Sequence, residues 1–132
     1  MKITNRSSEF KVFIAFAYTA LVTVTSLISI SNVPTIKLPY KDKVIHFLFY
    51  LLMVIIWFWS IKKKNYKNLT IIVVISIIYG IIIEVLQKEL TQYRTFDKYD
   101  ILANTMGTIV AYLFCMWFLK KNYSNSIIKF IK

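Results

Sequence analysis

Long apolar blocks separated by short polar links dominate this chain of 132 residues. The blocks run over about 12–30, 44–61, 69–86 and 101–119. Each comes close to the ~20 residues an α-helix needs to cross ~30 Å of hydrocarbon. Lipid offers the backbone no hydrogen-bond partner, so each block is expected to satisfy its own N–H and C=O groups as a helix. The pattern predicts an all-α, polytopic membrane protein: four transmembrane helices in a single domain over residues 1–132, with 120–132 as a short basic tail. In that tail, apolar and basic residues alternate from Asn125 onward, which suits the surface of a leaflet.

The first block follows Lys2, Arg6 and Lys11, as the core of a signal peptide would. Its apolar run exceeds the ~7–15 residues of such a core, and the Ser-Asn-Val-Pro-Thr that follows lacks a small-x-small cleavage pattern. A retained first transmembrane helix is the expectation.

Composition agrees with this picture. Hydrophobic residues make up 58% of the chain, with two glycines and two prolines, an apolar excess over ordinary globular usage. The net charge of +11 raises the question of nucleic acid. The basic residues flank apolar blocks instead of striping a polar helix, so no nucleic-acid partner is expected and the charge is read as membrane topology. Eleven of the seventeen basic residues fall in the N-terminal segment, at Lys62, Lys63, Lys64 and Lys67, and in the C-terminal tail. That excess predicts both termini on the cytoplasmic side and the other two loops outside. Of the acids, only Glu9 falls inside, while Asp42, Glu84, Glu89, Asp97 and Asp100 fall at or near the outer surface. Acidic residues contribute little to orientation, so their bias needs another cause. Trp57, Trp59 and Trp117 fit an inner aromatic belt, and Tyr40, Tyr93, Phe96 and Tyr99 an outer one. The lone Cys115 lies within an apolar block and reads as a buried thiol.

The candidate chemistry gathers at the outer helix ends. Asp42, His46 and Tyr50 stand four apart and share one face of the second helix. Gly80, Glu84 and Gln87 share a face of the third. Asp97, Asp100, Asn104, Gly107 and Thr108 line the fourth, where Ala103, Gly107 and Ala111 form a small-residue row that permits close helix contact. A carboxylate in hydrocarbon costs at least ~2.5–3.5 kcal/mol on insertion scales, so Glu84 is expected to face protein or water with Arg94 or His46 as its cationic partner; Lys43 is a less rigid choice. Candidate catalytic residues are His46, Glu84, Asp97 and Asp100; candidate binding residues are Asp42, Tyr50, Gln87, Arg94 and Asn104.

These residues also carry a resemblance. The run D-K-x-x-H at Asp42–His46 with Tyr50 beyond it, E-x-x-Q at Glu84–Gln87, and R-x-x-D-x-x-D-x-x-x-N-x-x-G from Arg94 to Gly107 together resemble the VanZ-like family over about residues 40–119. The resemblance implies a small bacterial multi-helix protein of the cytoplasmic membrane, whose namesake is linked to low-level teicoplanin resistance. It implies no particular reaction.

Each candidate also has a structural reading. His46 could be a polar residue near a helix end, with Asp42 orienting its ring. Glu84 could form a structural ion pair. One of Asp97 and Asp100 is expected to cap the fourth helix, since an aspartate there accepts free N–H groups at the positive helix end. Asn104 could be interhelical glue, and Gly80 and Gly107 packing positions. Glu84, Asp97, Asp100 and His46 offer ligands suited to a divalent cation, but compact ligand spacing is missing; no cofactor is expected and no metal site assigned. No phosphate-binding glycine loop, G-x-S-x-G elbow or Cys/His pair is present. Three functions remain open: engagement of a lipid-linked or peptidoglycan-related envelope component at the outer face, with an effect on glycopeptide susceptibility; an enzyme modifying a lipid head group or cell-wall intermediate through His46 or Glu84; and a proton or ion pathway.

Overall fold

A computed structural model describes residues 3–27, 41–90 and 97–131, with side chains placed for 6–27, 41–90 and 97–123. It contains four helices: α1 (Ile3–Leu27), α2 (Lys41–Ser60), α3 (Tyr66–Leu90) and α4 (Lys98–Ile131). All four are long and apolar enough to cross a membrane, and no strand occurs among the described residues. The all-α, four-span expectation holds.

The helices outrun the apolar blocks. α1 begins in the polar run Thr4–Glu9, and α4 continues past Lys120 and Lys121 to Ile131, so the backbone of the tail extends the last helix. Apolar length reports what lipid covers, whereas helix length follows backbone hydrogen bonds and caps. Asn65 caps α3, its Oδ1 accepting the Asn68 N–H at 2.8 Å. Asp97 caps α4, its Oδ1 accepting the Tyr99 N–H at 2.8 Å. The sequence left Asp97 and Asp100 as alternatives for this role; Asp97 takes it.

α2 is the central element. It packs on α1, α3 and α4, and its contact with α4 is the most extensive in the bundle. Val54, Phe58, Leu69, Ala111 and Cys115 form one buried cluster, with Cys115 2% exposed as expected. Val22, Tyr50 and Met53 form a second. The outside of the bundle is apolar: Phe10, Phe13, Ile75, Leu102 and Leu113 are among many large side chains left exposed, the surface a lipid solvent requires.

Small residues set the α2–α4 approach. A Cβ added at Gly107 would lie 2.2 Å from the Phe47 carbonyl oxygen, so the two backbones meet directly there. This is the close contact expected of the small-residue row. Of the tryptophans expected to form an inner belt, Trp59 and Trp117 are exposed, at 43% and 57%. Trp57 instead turns between helices, where Nε1 donates to Thr19 Oγ1 at 3.0 Å and its ring meets Phe16 edge-on.

Candidate functional site

The first turns of α2 and α4 lie side by side, and the last turns of α3 flank them. Lys43, from α2, donates through Nζ to Asp97 Oδ2 and to Asp100 Oδ1. Its ammonium lies 3.9 Å from Asp42 Oδ2. Ranked from sequence as a less rigid choice than Arg94 or His46, Lys43 is the cation that joins the acids of α4 to α2. Helical spacing carried the signal, because Lys43 lies three residues before His46 and so shares its face.

His46 is 4% exposed. Its Nδ1 lies 3.0 Å from Asn104 Oδ1. With that oxygen as acceptor, Nδ1 carries the proton and the neutral ring presents the Nε2 lone pair. Nε2 faces Asp42 Oδ1 and Asp100 Oδ2, each at 3.9 Å, beyond hydrogen-bond range. Asn104, not Asp42, therefore orients the ring. Asp42 is exposed at the rim, while Asp100 is buried.

Glu84 is 1% exposed. Its Oε1 accepts the Asp97 N–H at 2.9 Å, which ties α3 to the start of α4. It forms no ion pair with His46; the partner found is a backbone group. Arg94, the other expected partner, lies outside the described residues, as do Tyr40, Tyr93 and Phe96. Gln87 points toward α1 and donates through Nε2 to the Ser26 carbonyl at 2.9 Å. Asp97 sits beyond the membrane-spanning segments; the Lys43 ammonium, and next the Tyr99 N–H, hold its carboxyl below the usual carboxylate range.

Three buried polar atoms have no hydrogen-bond partner among the described residues: Tyr50 Oη, Glu84 Oε2 and Asn104 Nδ2. Tyr50 and Asn104 flank Gly80, where an added Cβ would lie 3.0 Å from Tyr50 Cε1 and 3.4 Å from Asn104 Cβ. A buried polar group left without a partner costs about 1–3 kcal/mol. Asp42, His46 and Asp100 also place one ligand atom each within 4.8 Å of the others, a donor set suited to a divalent cation. Beside the cluster, an apolar groove of about 510 Å³ runs along Tyr99, Leu102, Ala103 and Met106 of α4 and reaches Lys43.

The fold and site define a four-helix membrane protein with a polar cluster at one end of its bundle. The family model described as VanZ/LLP1 matches residues 2–119, and the chain belongs to that family. A Schizosaccharomyces pombe protein, named only as uncharacterized, is 34% identical over 90 residues, covering 67% of this chain and 54% of the relative. The chain thus spans about half the length of that relative. No solved structure matches it.

Proposed function

We propose that the chain acts at the outer face of its membrane, on or with a polar envelope component whose apolar part lies in the bilayer. One observation carries this reading: three helices bring Lys43, His46, Glu84, Asp97, Asp100 and Asn104 together at one end of the bundle. Ionisable groups among membrane helices are expensive and mark function by default. The apolar groove gives a lipid-borne group a lateral route to Lys43. The outward assignment rests on the basic excess at the opposite end, which in a bacterium corresponds to the cytoplasmic membrane with both termini inside. There the component is a lipid-linked or peptidoglycan-related molecule, and altered teicoplanin susceptibility follows because glycopeptides act outside the membrane. A polar lipid is a ligand class open to bacterium and yeast alike.

The test compares lipid and cell-wall precursor profiles, and glycopeptide susceptibility, in cells with and without the protein. His46→Asn and Glu84→Gln are expected to abolish whatever difference the wild type makes, at unchanged protein level. If both variants behave as wild type, the site is not the functional one.

The orientation of His46 supports a second reading, an enzyme. An imidazole held through Nδ1, with Nε2 turned toward the carboxylates, is arranged as a general base for a head-group reaction, with Glu84 as the other candidate. A chemically altered lipid that disappears with His46→Asn favours this reading; a lipid retained unaltered favours binding.

A further inference from the structure

The end of the bundle opposite the His46–Asp100 cluster carries its own cavity. α2 has 20 residues, so its first and last turns lie ~30 Å apart. Around the last turn, Ser7, Ser8 and Lys11 of α1 meet Trp59 and Ser60 of α2 and Ile61, Lys62 and Lys64 of the link to α3. Together they line an open cavity of about 430 Å³. Three lysines and three serines line it, and no acidic residue does among the described residues. Glu9, the acid nearest in sequence, is exposed and lies off its wall.

Charges of one sign gathered around a cavity repel one another unless an anion joins them. Burial, and next the Lys11 ammonium, push Lys64 below the ordinary lysine range. The site is also ordered. Lys64 Nζ donates to the Ile61 carbonyl at 3.0 Å, Asn68 Nδ2 donates to the Lys63 carbonyl at 2.8 Å, and Lys11 Nζ sits 4.8 Å above the Trp59 ring. The link is therefore a braced turn that holds its lysines toward α1.

We propose that this cavity binds the phosphate-bearing head group of an anionic membrane lipid, held by Lys11 and Lys64 and by the Ser7 and Ser8 hydroxyls. Phosphate accepts several hydrogen bonds and matches ammonium and hydroxyl donors. A lipid source fits the position better than a soluble phosphate. The cavity lies at a helix end level with the exposed Trp59, and the adjoining face of α1 carries exposed Phe10 and Phe13, against which acyl chains can lie. This inference goes beyond the reading of the opposite end and stands or falls independently of it.

The test uses the full chain in detergent, titrated with dioleoylphosphatidylglycerol, with dioleoylphosphatidylcholine and with inorganic phosphate, and read by native mass spectrometry. One phosphatidylglycerol is expected to be retained per chain in preference to phosphatidylcholine. At about a fivefold contribution per surface lysine, Lys11→Gln with Lys64→Gln is expected to weaken retention about thirtyfold. Lys63→Gln, which removes the same charge beside the cavity, is expected to leave it unchanged. If the double variant fails to fold, Lys64→Gln alone is read for a partial loss. Equal retention of both lipids overturns the proposal, and so does an equal loss with Lys63→Gln, which indicates diffuse charge. Retention of inorganic phosphate with no preference for phosphatidylglycerol assigns the cavity to a soluble anion and overturns the lipid source.

Discussion

Asn104 is the residue on which the cluster's geometry turns. It fixes His46 through Oδ1, leaves Nδ2 unpartnered, and abuts Gly80. Asn104→Ala removes the one hydrogen-bond partner that a buried imidazole N–H has among the described residues, and thermal unfolding in detergent is expected to show a loss of about 1–3 kcal/mol. An unchanged midpoint would mean that His46 is held by something else. Asp97 supplies a pH signature. Its folded-state pKa lies below the ordinary value, so its stabilising contribution is complete above ~4 and disappears as pH falls through the lower folded value. Between pH 7 and 3 the wild-type midpoint is expected to fall toward that of Asp97→Asn; parallel curves would remove Asp97 from the account of acid sensitivity. Residue types and spacing made His46, Asp100 and Asn104 legible as one group. The role of Lys43 was less so, since a flexible side chain takes its position from two carboxylates 54 and 57 residues away. The hydrogen bond from the Asp97 N–H to Glu84 was illegible, because no inventory of side chains contains a backbone donor.

At the scale of elements, glycine decides how closely helices approach. Gly107→Ala sets a Cβ 2.2 Å from a carbonyl oxygen of α2, and backbone cannot rotate away as a side chain can. The small gain in helix propensity does not offset this, and a net loss of about 1–3 kcal/mol is expected. Gly80→Ala meets a ring edge at 3.0 Å, which can give by a few tenths of an ångström, so its cost is expected to be smaller. Thermal midpoints of the two variants check the order; a milder Gly107→Ala would contradict direct backbone contact. The existence of four helices was readable because lipid demands uninterrupted apolar length. Their ends were not, since Asn65 and Asp97 set them through caps outside the apolar blocks.

At the scale of the whole molecule, the two ends differ in chemistry: lysines around one cavity, and carboxylates bridged by Lys43 at the other. The charge bias predicts which end faces the cytoplasm. In a Cys115→Ala background, a cysteine at Tyr99 is expected to react with an impermeant maleimide added outside intact cells, and one at Lys63 only after permeabilisation. The reverse pattern would invert the orientation and move the proposed site to the other face.

The pairing of α2 with α4 has a consequence for the order in which the protein is made. The hydrogen-bond partners of Lys43 and the residue that orients His46 all lie at or beyond Asp97, in a segment made after α2. Until then, α2 carries a lysine and a histidine into the membrane without the groups that satisfy them. A chain truncated before Asp97 would present the same unpaired groups to the cell's membrane proteases.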